Sequence, residues 1–169
     1  MNIRIATKQD FKEIYNLVEE AFKTAQVSDG NEQNFVLELR KRATYIPNLE
    51  FVAEKNGKLI GHIMFSKQPV KLIKGKLNAV LIAPLCVDFN YRNQGIGSKL
   101  MNYGLNKAKE LGYDTAFLIG NPEYYKNFNF KSVTNYNLKN ITAILDKYVM
   151  VKELDKKVLF DIEGSIDLH

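Results

Sequence analysis

A glycine-bearing turn separates two parts of the chain that differ in sequence periodicity. The apolar run Leu77 to Val87 ends shortly before it, and apolar residues recur every three to four positions from Gly95 to Leu111. The turn itself, 92–97, reads Arg-Asn-Gln-Gly-Ile-Gly. An apolar run followed by a helical repeat predicts a strand, a turn and a helix that pack as one unit. A chain built around this unit is expected to fold as a mixed α/β domain.

Strand and helix signals continue on both sides of that unit. The dipeptide Asn56-Gly57 stands between two apolar runs and is the strongest short signal for a hairpin. Apolar residues at helical spacing predict one helix over 11–22 and a second around 35–43. Downstream, 115–119 is expected to be a strand, and Asn121-Pro122 has the N-cap and first-turn residues of a new helix. The centre should be an antiparallel meander, and residues 1–169 should form a single domain.

Composition narrows the classes of function. The net charge of +5 suits a polyanionic ligand, but the lysines are scattered and do not form the dense basic runs of a nucleic-acid-binding arm. No apolar stretch is long enough to span a membrane, and the N-terminus lacks the layout of a signal peptide. Cys86 is the only cysteine, so neither an intrachain disulfide nor a cysteine metal site is expected. The predicted location is the cytoplasm, with no metal, nucleic-acid or membrane partner.

The turn before the long helix has the properties of an anion site. A helix N-terminus presents unpaired N–H groups and a partial positive charge. Gly95 and Gly97 allow close approach of the backbone, and Arg92 could add a charged fork to a phosphate oxygen. An isolated pair of glycines could equally serve only a tight turn. The third position after Gly97 is Leu100 and no Gly-Lys-Ser/Thr follows, so the dinucleotide and P-loop motifs are both excluded.

The pattern that remains is Arg/Gln-x-x-Gly-x-Gly/Ala, and it resembles the cofactor motif of the GNAT superfamily of N-acetyltransferases. The segment 83–88 resembles the strand before that motif, and 89–92 resembles its Pro-x-Tyr-Arg approach, with Phe89 and Asn90 as departures. Residues 120–130 resemble the Gly-Asp/Asn-Pro-x-Tyr-Tyr-x-x-Phe-Gly-Phe segment of one predicted bacterial subgroup, and Gly61-His62 also fits that subgroup. Asn129 replaces the usual glycine there, and asparagine tolerates the positive φ that such a turn requires.

The resemblance implies an α+β fold and a cofactor. The fold would have a mixed, mostly antiparallel central sheet, flanked by helices and splayed between its fourth and fifth strands, here 81–87 and 115–119. The co-substrate would be acetyl-CoA, with pantetheine along the fourth strand and pyrophosphate at the turn. The implied cofactor-binding residues are Leu85, Cys86, Val87, Arg92, Asn93, Gln94, Gly95, Ile96, Gly97, Ser98 and Asn121.

The resemblance also implies a reaction in which an amine attacks the acetyl thioester directly. Tyr125 matches the tyrosine with which the family often protonates the leaving sulfur. The base is left open among Glu32, Glu38 and Glu54, and His62 is more simply explained as a structural residue. A non-catalytic acyl-CoA-binding or regulatory module on the same fold is the alternative. The acceptor, a small-molecule or peptide amine, and the choice between monomer and homodimer are also left open.

Overall fold

The computed structural model describes residues 1–25 and 28–168, and the chain divides into two compact units. The first unit comprises Met1–Ser66 and Ala83–Gly104, and the second comprises Lys67–Ile82 and Leu105–His169. The chain therefore passes between the units several times. The single domain expected from the sequence stays a prediction.

The described residues form ten strands and four α-helices. The strands are β1 Asn2–Ile5, β2 Tyr45–Lys55, β3 Lys58–Lys67, β4 Lys71–Lys74, β5 Ala79–Val87, β6 Thr115–Ile119, β7 Lys131–Ser132, β8 Leu138–Asn140, β9 Val149–Glu153 and β10 Glu163–Ile166. The helices are α1 Phe11–Phe22, α2 Glu32–Lys41, α3 Ile96–Glu110 and α4 Pro122–Tyr125. None of these helices is both long and apolar enough to cross a membrane.

In the first unit, antiparallel strands carry helices on both faces. β1 pairs with β2 and β2 with β3, and Asn56 and Gly57 adopt the positive φ angles, 52° and 75°, of the predicted hairpin turn. β5 lies beside β3. One face packs against α1 and α2. On the other, α3 approaches so closely that a Cβ on Gly61 would lie 2.8 Å from Leu100 Cδ1, so a larger residue there would have to displace that side chain.

In the second unit, β5 pairs in parallel with β6, while β9 pairs antiparallel with both β6 and β7. The register of β5 with β6 runs from Ala79↔Thr115 to Leu81↔Phe117, although β5 continues to Val87 and β6 to Ile119. The ladder thus ends where the splay was expected. A second sheet, β4-β10-β8, was not predicted, because its strands are three or four residues long and lack clear alternation. The α+β class and the mixed sheet flanked by helices are confirmed.

Candidate active site

The turn between β5 and α3 exposes backbone at its tip. Asn93 and Gly95 both adopt left-handed conformations, with φ of 60° and 77°, and the residues between Arg92 and Ile96 are exposed. The first bond of α3 within this segment runs from the Lys99 N–H to the Gly95 carbonyl, at 3.0 Å. The N–H groups of the first helical residues therefore have no helical carbonyl to bond, as at every helix start.

Space is available at this turn for an anion. A Cβ built on Gly95 meets no heavy atom within 4 Å, so the protein leaves the volume beside this backbone open. Gly97 and Ser98 are half-buried on the first turn of α3, and Ile96 is buried and anchors the helix. An open approach, a left-handed glycine and a helix N-terminus together fit a pyrophosphate group.

Arg92 points away from this open space, toward the end of α1. Its Nη2 donates to the Ala21 carbonyl at 2.6 Å, its Nη1 to Thr24 Oγ1 at 2.7 Å, and its Nε to the Val87 carbonyl at 3.3 Å. The side chain thus ties the base of the turn to α1 and to the end of β5. That Arg92 holds a phosphate oxygen stays a prediction, and the structure adds a supporting role that sequence reasoning missed.

Asp88 anchors the start of the loop that joins β5 to α3. Its N–H donates to the Ile60 carbonyl at 2.9 Å, and its carboxylate accepts the Asn90 N–H at 2.9 Å and the Lys58 ammonium at 2.7 Å. The ion pair with Lys58 lowers the pKa of the Asp88 carboxyl. An aspartate at the start of such a loop is a recognisable signal, because its side chain can accept the N–H two residues on.

The last residues of β5 alternate in exposure. Leu85 and Val87 are half-buried, whereas Cys86 is buried in the core beneath α1 and α2. Burial raises the pKa of the Cys86 thiol to about 12, so no reactive thiolate forms at neutral pH. Any contact between Cys86 and a cofactor is consequently limited to its backbone.

Asn121 and Tyr125 belong to the second unit, at the two ends of α4. The Asn121 side chain caps the helix by accepting the Glu123 N–H at 3.0 Å, which confirms the predicted cap. Burial raises the pKa of Tyr125 to about 12, so its hydroxyl stays protonated at neutral pH. Four residues beyond the end of α4, Asn129 has φ of 63°, the left-handed conformation expected of the residue that replaces glycine.

A buried polar cluster lies on the α1 and α2 face of the first unit. Both Glu50 and His62 are fully buried, and His62 Nε2 lies 2.9 Å from Glu50 Oε1. Arg40 Nε lies 3.2 Å from each carboxylate oxygen, and the Tyr45 hydroxyl donates to Oε2 at 2.6 Å. Burial lowers the pKa of His62, so its ring is neutral and donates from Nε2 to the carboxylate. The structural role given to His62 fits this cluster, but Glu50 was missed because it sits on an inward strand position that normally holds an apolar residue.

The three carboxylates considered as the general base each form an ion pair or accept a hydrogen bond from another residue. Glu54 pairs with Arg4 and Glu38 with Lys41, each at 2.8 Å. Glu32 accepts the Asp29 N–H at 3.1 Å. None of these contacts points to one carboxylate as the base, and the question stays open.

Comparison with known proteins identifies the family. The acetyltransferase (GNAT) domain model matches residues 2–133. The chain is 30% identical over 116 residues to the uncharacterized N-acetyltransferase YhbS of Escherichia coli K12, covering 69% of this chain and 68% of that protein. It is 28% identical over 130 residues to the uncharacterized N-acetyltransferase YjhQ of the same strain, covering 75% and 67%.

Comparison with solved structures identifies the same family. The crystal structure of YhbS from E. coli, a GNAT family N-acetyltransferase in complex with CoA, matches with a TM-score of 0.86 and 28% identity over 99% of this chain and 89% of that one. A GNAT family acetyltransferase from Brucella melitensis in complex with acetyl-CoA matches with a TM-score of 0.79 and 27% identity, covering 99% and 95%. The family match, the turn before α3 and the fold agree, and the chain belongs to the GNAT family of N-acetyltransferases.

Proposed function

We propose that this enzyme binds acetyl-CoA and transfers its acetyl group to a primary amine by direct attack. The observation that carries the proposal is the turn before α3, where a left-handed Gly95 leaves open space beside a helix N-terminus. The CoA and acetyl-CoA bound to the E. coli and Brucella relatives support the same ligand. The backbone of residues 93–98 would hold the pyrophosphate, and Asn121 is a proposed cofactor-binding residue with no particular part of the cofactor assigned to it.

When bound, acetyl-CoA supplies an activated acetyl group: a C–N bond to the amine forms, the C–S bond breaks, and the products are an acetamide and CoA thiol. The residues 85–87 would hold pantetheine through their backbone, since the register of β5 with β6 ends earlier, at Leu81. An N–H group in this segment would stabilise the oxyanion. A base or the solvent must take the proton that the amine loses.

We propose that Tyr125 donates to the leaving sulfur. Its pKa of about 12 keeps the hydroxyl protonated, so a donor is always present at neutral pH. Complete transfer to a thiolate is uphill, because an ordinary thiol has a pKa of about 8.5. Tyr125 therefore acts mainly through a hydrogen bond that strengthens as charge develops on sulfur. Any tyrosinate that forms recovers its proton from solvent.

Location and partners form part of the same proposal. We place the enzyme in the cytoplasm, acting on a small-molecule or peptide amine as a monomer or homodimer. The single cysteine, buried and unactivated, suits a reducing compartment. The scattered lysines do not favour a nucleic-acid partner.

The experiment is a panel of amines assayed by release of CoA thiol from acetyl-CoA. Spermidine, lysine, kanamycin and a short peptide with a free N-terminus sample the acceptor classes. Hydrazine is added because it is small and a much weaker base than an alkylamine, so a far larger fraction of it is unprotonated at neutral pH and it depends less on an acceptor pocket and on a base. Thiol release above the rate of the same amine and acetyl-CoA without the protein supports the enzyme. Tight binding of acetyl-CoA with no such release would instead support the non-catalytic acyl-CoA-binding module.

A further inference from the structure

Gly120, directly after β6, lies against the ring of Tyr125. A Cβ built on Gly120 would stand 2.2 Å from Cε2 and 2.7 Å from Cδ2 of that ring. Non-bonded carbon atoms normally stay about 3.5–4.0 Å apart. The tyrosine ring thus fills the volume that a side chain at position 120 would need.

Space, and not backbone conformation, explains the glycine at this position. Gly120 lies outside the left-handed region, whereas Gly95 and Gly112 lie inside it, with φ of 77° and 91°. At those two positions a Cβ would meet nothing within 4 Å. An alanine at position 120 would therefore not need a left-handed backbone, and the three atoms nearest to its Cβ would all belong to Tyr125.

Other aromatic rings close around Tyr125. Phe130 lies with its ring centroid 6.1 Å away at an interplanar angle of 72°, and Tyr124 lies 4.9 Å away at 84°, both edge-to-face. Phe128, at 6.4 Å, is buried, as is Phe130. The ring of Tyr125 cannot retreat from residue 120 without moving this packed group.

The chain after Tyr125 is also held in place. The Phe130 N–H donates to the Tyr125 carbonyl at 3.3 Å, and the left-handed Asn129 permits that reversal. The ammonium of Lys152 on β9 donates to the Phe128 carbonyl at 2.8 Å. Within the described residues, the Tyr125 hydroxyl makes no hydrogen bond that could set its position. Packing of the ring on a fixed backbone therefore sets where the hydroxyl points.

We propose that Gly120 is a positioning residue for the reaction, acting through Tyr125. The proposal rests on the role given to Tyr125 as donor to the leaving sulfur. A methyl group at position 120 would push the ring outward by an ångström or more to reach ordinary contact distance. Hydrogen bonds weaken steeply with such displacements, so the variant should lose rate and not cofactor affinity.

The test is a double-mutant cycle on four proteins: the unmodified enzyme, Gly120→Ala, Tyr125→Phe and the double variant. Turnover is measured with hydrazine and with the most active amine of the panel, and acetyl-CoA affinity is measured by calorimetry. We expect Gly120→Ala to lower kcat roughly 10- to 100-fold, as a misplacement of about 1 Å does. In the Tyr125→Phe background the same change should have little further effect on kcat, because the hydroxyl is already gone. Acetyl-CoA affinity should be alike in all four.

The outcomes separate this proposal from the one on which it rests. Full turnover in Gly120→Ala, or rate losses that multiply in the double variant, would overturn the positioning role while leaving Tyr125 as the donor. Full turnover in Tyr125→Phe would overturn both. Should Gly120→Ala fail to fold, Phe130→Leu removes one of the aromatic rings that pack around Tyr125. It should lower kcat in the unmodified enzyme but not in Tyr125→Phe, and equal losses in both backgrounds would contradict the proposal.

Discussion

Two glycines in this enzyme serve opposite purposes. Gly95 is required for its left-handed backbone and borders open space, whereas Gly120 has an ordinary backbone and borders the ring of Tyr125. The first borders volume that we propose a ligand fills, and the second leaves room for a side chain of the protein itself. The proposed binding at the turn before α3 therefore depends on the backbone, while the proposed chemistry at α4 depends on one packed hydroxyl.

The difference between the two regions indicates which of them should control cofactor affinity and which should control the rate of the reaction. A site formed by backbone N–H groups and a helix N-terminus stabilises its anion throughout the reaction, so it sets affinity. A hydroxyl that meets charge only as the C–S bond breaks sets rate. Substitutions in the two regions should accordingly change different kinetic constants.

The largest effect should come from Tyr125→Phe. We expect kcat to fall roughly 10²-fold, near the lower end for loss of a positioned acid, because a hydroxyl with a pKa of about 12 acts mainly as a hydrogen-bond donor. Acetyl-CoA affinity should change little. Turnover with hydrazine and calorimetry with acetyl-CoA measure the two quantities separately.

Tyr124→Phe is the matched control, since adjacent helical residues point about 100° apart and only one of the two can face the sulfur. Full turnover in Tyr125→Phe with a large loss in Tyr124→Phe would mean that the motif is displaced by one residue. Full turnover in both would show that neither tyrosine is the donor, and the contrast between the two regions would fail.

Substitution of Arg92 tests whether its side chain stabilises the turn before α3 through its contacts with α1 and β5. We expect Arg92→Ala to lower the free energy of unfolding by roughly 2 kcal/mol without any ligand, because a charged donor to Ala21, Thr24 and Val87 is lost. Urea denaturation measures this change. Unaltered stability would contradict the supporting role.

The same variant examines the predicted phosphate contact. If Arg92 holds a phosphate oxygen, Arg92→Ala weakens acetyl-CoA but spares acetyl-pantetheine, which lacks the pyrophosphate. If Arg92 only shapes the turn, Arg92→Lys keeps the charge but not the fork, and it should lose stability much as alanine does.

Gly95→Ala should weaken acetyl-CoA about tenfold, or about 1.4 kcal/mol, by placing a methyl group where the pyrophosphate approaches. Gly112→Ala is its control, because Gly112 shares the positive φ and the open surroundings but ends α3 far along the chain from the turn. Both variants should lose similar stability. Equal loss of acetyl-CoA affinity in both would show that strain, and not the site, is responsible.

Acidification should destabilise the first unit through its buried cluster. His62 has a lowered pKa, so below its unfolded value of about 6.5 the unfolded chain binds a proton that the folded chain refuses. Glu50, with a pKa of about 2, adds stability above about 4.5 that is lost as the pH falls toward 2. Both effects lower stability in acid, each by at most about 1.4 kcal/mol per pH unit.

Thermal unfolding between pH 7 and pH 5 measures the contribution of His62. Gln in its place keeps a donor for Glu50 but cannot titrate, so His62→Gln should show a flatter pH dependence in this range. An identical slope in the variant would mean that His62 titrates alike in the folded and unfolded chains, contrary to its burial beside Glu50 and Arg40.

How far the sequence predicted these features depends on how local they are. The hairpin at Asn56-Gly57, the cap at Asn121 and the left-handed Asn129 follow from neighbouring residues, and all three were predicted. In contrast, the guanidinium of Arg92 donates to the carbonyl of Ala21, which is 71 positions away in the chain. Glu50 likewise bonds to Arg40 of α2 and to His62 of β3. Such contacts depend on tertiary packing, and a single sequence carries little signal for them.

The steric conflict between a side chain at position 120 and Tyr125 is intermediate between these local and long-range features. Its partner is only five residues away, and the motif placed both residues in one segment. The sequence alone nevertheless left the reason for the glycine unspecified, because φ and free space can both require one. The position of the Tyr125 ring shows that free space, and not φ, is the reason for the glycine.

The most direct test of the central claim is the melting temperature of the unmodified enzyme with and without acetyl-CoA. If the turn before α3 holds the pyrophosphate, ligand at 100 times its Kd should add about 2.7 kcal/mol to the free energy of unfolding. Acetyl-pantetheine at the same concentration should add clearly less. A melting temperature unchanged by millimolar acetyl-CoA, or raised equally by acetyl-pantetheine, would contradict the account.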